Sequence, residues 1–349
     1  MSVQPHHANP NWPVVIQSLK KQWPVLAATG ETIVASGGFS GALVLKVRGS
    51  DGEFLALRRW PTTYREIRRL QGLHRVLRHL KQCGIPVAVP LSSTVNETLV
   101  SLSDGLWQLE PWLPGDPLNP NTTNHGLIDA VMQRMAQLHA ALAQYQAPPK
   151  EEQWFGRRTA PSPTVTERLE LLNKYAARRM SLGAGFPNDA ETQDLIRRIL
   201  TAFDGHHVRI RNLLTPLSDQ TFGLQPCWRD LWYAHVLMKD DHVTGFLDSA
   251  AMRTAHVATD VSRLLGGLCG NSRDTWDYAI DVYCRLHPLS PVELLLIHAL
   301  DQSGVLLSIL NWLERPQELA SSSEARQRCE SLLIRLEQPE APGGAIFVP

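Results

Sequence analysis

The 349 residues predict an α+β chain in two lobes, a small antiparallel sheet with one long helix followed by a larger, mainly helical part. Three observations predict it. The length exceeds what one compact core comfortably holds. Short β-rich runs separated by glycine-containing turns fill residues 33–59. From residue 127 onward apolar residues recur at helical spacing, interrupted by a tight hairpin at 236–247. The expected divisions are a tail and short helix at 1–23, the small lobe at 24–110, the larger lobe at 111–338 and a tail at 339–349.

Composition narrows the function. Lys plus Arg balance Asp plus Glu at 34 each, so net charge gives no case for nucleic acid or an anionic membrane as partner. Arg65, Arg68, Arg69, Arg75 and Arg78 read as the solvated face of a helix. Five scattered cysteines with no CxxC pair argue against a disulfide framework or a structural zinc, and point to a reducing cytoplasm. The first residues lack a basic region followed by an apolar run, and no stretch approaches the apolar length of a membrane span.

In chain order, residues 12–22 suit a short amphipathic helix. Strands follow at 33–35, 42–47 and 54–58, joined by turns at 36–41 and 49–52. The first turn holds Gly37, Gly38 and Ser40, whose backbone N–H groups can lie over phosphates. In the third strand a period of two puts Phe54, Ala56 and Arg58 on one face and Arg59 on the other. Residues 62–82 form a long amphipathic helix with Leu70, Leu73, Leu77 and Leu80 on its stripe. Glu66 lies in its first turns, where a carboxylate meets the helix dipole favourably. Runs at 99–102 and 106–109 pair across Asp104-Gly105 and lead into Glu110-Pro111-Trp112.

The helices of the larger lobe are expected at 127–142, 166–180 and 188–203, with loops at 146–164 and at His206-His207. His139 reads as a satisfied core histidine. The central stretch is 227–251, CWRDLWYAHVLMKDDHVTGFLDSAA, which places Asp230 and Asp248 on either side of the hairpin. Another helix begins near Asp260, and further helices fall within 272–337, including 291–314.

This central stretch resembles the aminoglycoside phosphotransferase family, which is kinase-like and also includes choline and homoserine kinases. That family reads HGD-x-x-x-x-N, a hairpin, then two hydrophobic residues and an aspartate. Asp230 matches the loop aspartate, and Asp248 falls at the usual spacing, 248 − 230 = 18. His235 stands where the family has asparagine, Trp228-Arg229 replaces His-Gly, and Ser249 follows the second aspartate. Residues 84–90, GIPVAVP, and the ordered series of glycine turn, strand cation, helix glutamate and hinge extend the likeness from about Ile33 to Gly266.

The resemblance implies a protein-kinase-like fold and transfer of the γ-phosphate of ATP, with Mg2+ (Mn2+ being tolerated), to a hydroxyl of a small molecule. It assigns Asp230 the acceptor hydroxyl and its proton, and Asp248 the metal. His235 would be a nitrogen ligand or a residue behind the ligands. Arg58 would hold the phosphates and pair with Glu66, Glu110 C=O and Trp112 N–H would meet adenine, and Asp260 would brace the catalytic loop. Arg229, next to Asp230, would favour the ionised carboxylate. The departures at 228, 229 and 235 leave an alternative: a catalytically weak, pseudokinase-like protein that binds a nucleotide or metabolite.

Overall fold

The computed structural model describes residues 12–27, 33–35, 42–60, 66–102, 105–187 and 189–338. They form two units. The first takes Met1–Asp116 together with Leu237–Lys239 and Thr244–Ala250; the second takes Pro117–Val236, Asp240–Val243 and Ala251–Pro349. The α+β, protein-kinase-like architecture expected above is the one observed: a small antiparallel-sheet unit and a larger helical one.

The first unit opens with α1 (Trp12–Lys20) and continues through β1 (Ile33–Ala35), β2 (Leu43–Arg48), β3 (Phe54–Trp60), α2 (Ile67–Gln82), β4 (Val100–Leu102) and β5 (Gly105–Pro111). The strands make one five-stranded antiparallel sheet in the order β1-β2-β3-β5-β4. Strand alternation divides its residues between two faces. Leu45, Val47, Leu55, Leu57, Trp107 and Leu109 pack with Leu19, Trp23 and Leu26 from α1 and the chain just after it. The other face carries Lys46, Ala56, Arg58, Gln108 and Glu110, in register across β2, β3 and β5. Residues 62–65, expected as the first turn of the long helix, lie outside the described residues, and α2 itself starts at Ile67.

β6 (Asp116–Pro117) leads to the second unit's α3 (His125–Gln144), α4 (Glu152–Phe155), β7 (Arg158–Pro161), α5 (Pro163–Ala177), α6 (Ala190–Leu214) and β8 (Thr221–Cys227). The hairpin β9 (Val236–Lys239) and β10 (His242–Phe246) follows. Asp240 and Asp241 both take positive φ at its tip, 49° and 60°, the mirror-image turn that fits the twist of two-residue hairpins. Next come β11 (Arg253–Ala255), α7 (Ala258–Cys269), α8 (Arg273–Cys284), α9 (Pro291–Trp312), α10 (Pro316–Ser321) and α11 (Ser323–Glu337).

Three differences from expectation have simple causes. Residues 146–164 are not all loop: α4 and β7 form there, and β7 pairs with β8, which pairs with β11. These strands are three to seven residues long, too short for periodicity to reveal. The helix predicted to stop at 203 runs to Leu214, so His206-His207 is helical, and His207 turns its Nδ1 back onto Phe203 O at 2.9 Å. Finally, α9 is long and apolar enough to cross a membrane by length and composition, contrary to the expectation that no stretch comes near. It packs against α5, α6, α7 and α11 and buries Leu296, Leu300, Leu306 and Leu310, as the central helix of a packed domain does.

Candidate active site

In the first unit, β3 presents Arg58 beside Asp248 in a small cavity that Trp60, His74, Gln108 and Glu110 also line. Asp248 sits at φ 53°, a left-handed conformation that aspartate tolerates better than most residues. Phe246, two residues earlier, donates its N–H to Pro86 O at 2.9 Å, so the returning strand is anchored on the chain leaving α2.

The acid that meets Arg58 is Glu110, at 3.6 Å, whereas Glu66 pairs with Arg69 at 2.9 Å. The Glu66–Arg58 pair implied by the resemblance is therefore replaced. Arg69 in turn donates to Ala250 O at 2.7 Å, two residues beyond Asp248. Glu66 thus reaches the aspartate segment through Arg69 and the backbone. Arg69 is only 4% exposed, which corrects its reading as part of a solvated face, while Arg68, Arg75 and Arg78 are exposed as expected.

Behind Glu110 lies a buried polar chain that the sequence did not announce. Trp60 Nε1 donates to Gln108 Oε1 at 2.8 Å, and Gln108 Nε2 donates to Glu110 Oε2 at 2.7 Å. Indole is a donor only, so the Gln108 amide is oriented without ambiguity. His74 Nε2 lies 3.2 Å from the same Gln108 oxygen and must carry its proton there. Its Nδ1 then accepts from Thr98 Oγ1 at 2.7 Å. Burial pushes the Glu110 carboxyl above its ordinary pKa, against the pull of Arg58 and Gln108, and the charge of Asp248 adds to the rise.

Burial likewise lowers His74 to about 4, with Arg78 and Arg75 adding to the fall, and lowers His287 of the second unit to about 4. Both are below the unfolded histidine value of about 6.5, so between those limits the unfolded chain binds more protons. Stability is then fully present above about pH 6.5 and is lost as pH falls toward about 4. The urea midpoint should drop between about pH 7 and about pH 5, and drop less in His74→Gln.

The hinge assignment needs correction. Trp112 N–H donates to Phe54 O at 3.1 Å. Because bonded pairs alternate along an antiparallel ladder, the Ala56↔Glu110 pair spends Glu110's own N–H and C=O on β3. The Trp112 ring is instead covered by Lys46 Nζ at 4.7 Å, which also lies 4.1 Å from the Phe54 ring. Lys46 is a second cation on the Arg58 face, and its place was readable from the strand period once the β2–β3 register is known. Gly37, Gly38 and Ser40 lie outside the described residues.

In the second unit, the loop after β8 carries Asp230, and Asp260 of α7 holds that loop. Its Oδ2 accepts from Trp228 N–H at 2.7 Å and its Oδ1 from Arg229 N–H at 2.6 Å. His139 Nε2 approaches Oδ2 at 3.2 Å, and His139 Nδ1 lies 2.7 Å from Tyr283 Oη. Asp260 and His139 are both fully buried. Asp260 is thus the brace that the resemblance implied, and His139 is the satisfied core histidine.

Arg229 takes φ 69°, at the position where the resembled motif has glycine. A branched side chain is costly there. Arg229→Gly should therefore retain stability despite losing the ion pair with Glu167. Arg229→Val should lose about 1–2 kcal/mol more than Arg229→Gly in chemical denaturation. The cation that engages Asp230 is not Arg229 but Arg263, whose Nε and Nη2 both lie 3.3 Å from Oδ1.

His235 also departs from its expected role. Its Nε2 accepts the Trp232 indole N–H at 2.9 Å, so the proton sits on Nδ1, which donates to Asp230 O at 2.8 Å. Both ring nitrogens are engaged in shaping the loop, and no lone pair is left to offer a metal. Trp232 is in turn flanked by the guanidinium groups of Arg263 and Arg328, 5.8 and 4.8 Å from its ring.

A small sheet unit bearing a strand cation and a helical unit bearing a braced aspartate loop define a kinase-like class. The match to known proteins makes it specific: residues 32–332 fit the model of the phosphotransferase enzyme family (APH), and the chain belongs to that family. Its fold is similar to amicoumacin kinase hAmiN, solved with AMP-PNP, Ca2+ and Ami, at 15% identity and TM-score 0.67, covering 95% of each chain. It is also similar to spectinomycin phosphotransferase APH(9)-Ia, solved with ADP and spectinomycin, at 12% identity and TM-score 0.60, covering 94% of each. An ethanolamine kinase of Plasmodium vivax gives 14% identity and TM-score 0.60, over 95% of this chain and 90% of the other. No curated protein sequence matches the chain.

Proposed function

We propose that the protein is an ATP- and Mg2+-dependent phosphotransferase acting on a hydroxyl of a small molecule. The observation that supports this most is the Asp260 brace, because it fixes the backbone before Asp230 despite the changed residues at 228 and 229. Asp230 orients the acceptor hydroxyl and takes its proton as the hydroxyl oxygen bonds to the terminal phosphorus and the bond from that phosphorus to the departing nucleoside diphosphate breaks. Arg263 fixes the orientation of the Asp230 carboxylate.

Arg58 and Lys46 face the nucleotide's phosphates as cations, Arg58 being held in place by Glu110. The donor chemistry fits magnesium, which prefers oxygen: Asp248 offers a carboxylate, whereas the nitrogens of His235 are engaged elsewhere. Asp248 would hold the ion together with phosphate oxygens, and the bound ion would neutralise charge on the transferring group. Adenine would be met by groups other than Glu110 C=O and Trp112 N–H, which the sheet already uses.

Thermal melting with ATP and Mg2+ tests this reading. The wild type is expected to be stabilised, and Asp248→Ala to lose at least about tenfold in apparent affinity, as removal of a charged ligand gives. Absence of any Mg2+-dependent nucleotide effect on the wild type would sink the proposal. Phosphate transfer from ATP to a panel of amino alcohols, sugars and aminoglycosides then separates an enzyme from a nucleotide-binding relative.

A further inference from the structure

The second unit holds another cavity, of about 450 Å3, on the sheet made by β7, β8 and β11. That volume lies within the range of small-molecule sites. It is lined by Arg157, Arg158 and Thr159 at the start of β7, by Leu224 and Gln225 in the middle of β8, and by His256 and Val257 just past β11. His287 and Glu293, from the chain around the start of α9, complete it. Its lining includes neither Asp230 nor Arg263, nor any other residue assigned to phosphotransfer.

The polar groups of this cavity are of two kinds. Glu293 is satisfied: its Oε1 accepts from His256 Nε2 at 2.8 Å, and its Oε2 closes the cap of α9 on Ser290 N and Oγ, at 2.8 and 2.7 Å. His256 Nδ1 accepts from Ala258 N–H at 3.1 Å, so this ring is neutral and its one proton faces Glu293. Gln225 donates to His139 O at 2.8 Å.

Arg157, Arg158 and His287 are different. Among the described residues, neither guanidinium has a hydrogen-bond or ion-pair partner, and the His287 ring packs against the rings of His139 and Tyr283. With Glu293 ionised and both histidines neutral, the lining carries a net charge of +1, from two arginines less one glutamate. Exposed guanidinium donors without partners, on residues that line a cavity, suit the fork geometry of a carboxylate or phosphate.

We propose that this cavity binds a small organic anion, whose carboxylate or phosphate group sits on Arg157 and Arg158 and whose uncharged body lies against Leu224, Val257 and His287. The site is separate from the phosphotransfer residues and stands whether or not the proposed function does.

The test is a thermal-shift and calorimetric titration of the full chain with inorganic phosphate and, separately, succinate, each against sodium chloride at matched ionic strength. One of the two anions should give a saturable stabilisation, and which one does identifies the headgroup. Arg157→Ala/Arg158→Ala should weaken binding at least about tenfold, and Arg157→Lys/Arg158→Lys should weaken it less, which controls for folding. Arg58→Ala should leave the response intact. A response lost in Arg58→Ala but kept in the Arg157/Arg158 variants would move the anion to the first unit and overturn the proposal. No saturable response to either anion would overturn it as well.

Discussion

Asp260→Ala is expected to destabilise the protein by about 3–5 kcal/mol, the range for removing one partner from a buried charged network. Asp260 is fully buried and accepts from two backbone N–H groups, and His139 supplies a third contact. Each buried donor left without an acceptor costs about 1–3 kcal/mol. The His139 ring would also lose the contact that fixes which nitrogen carries its proton, and with it the polarity of its bond to Tyr283. Asp260→Asn keeps one acceptor oxygen but turns an N–H2 group toward donors, so it should fall between wild type and alanine. Chemical denaturation of the three proteins checks the order. A loss below about 1 kcal/mol for alanine would mean that the loop holds its shape by other bonds.

Much of this architecture was legible in the sequence where periodicity and turn chemistry agree. The β3 alternation put Arg58 on its face, and the short apolar runs on either side of the polar residues 239–242 gave the hairpin. What was not legible depends on partners brought in from elsewhere in the chain. Arg69 looks like its solvated neighbours until the fold supplies Ala250 O and buries it. His235 looks like a ligand until Trp232 claims its Nε2 lone pair. Glu110 belonged to a linker in the sequence reading, but the pairing of β5 with β3 makes it a buried acid with a raised pKa and the counter-ion of Arg58. Gln108, Thr98 and His74 carry no sequence signal at all, because a polar residue on a β-strand or an apolar helix stripe is informative only once its donors and acceptors are paired.

Arg263 has the same character, and it shapes the second large prediction. Asp230→Asn should reduce kcat for phosphoryl transfer by about 10²–10⁴, the usual contribution of a positioned general base, once an acceptor is in hand. Stability should change little, because the Asp230 side chain is 44% exposed and its ion pair with Arg263 is worth at most about 1 kcal/mol at the surface. Nucleotide binding, read by the Mg2+-dependent thermal shift, should be retained, which separates a loss of chemistry from a loss of fold. Arg263→Ala tests the orienting role: freed of the guanidinium that engages it, the carboxylate gains rotamers, and kcat should fall while the nucleotide response stays. If Asp230→Asn keeps full transfer activity, the proton must leave the acceptor by another route, and Asp230 would then serve the loop's shape alone.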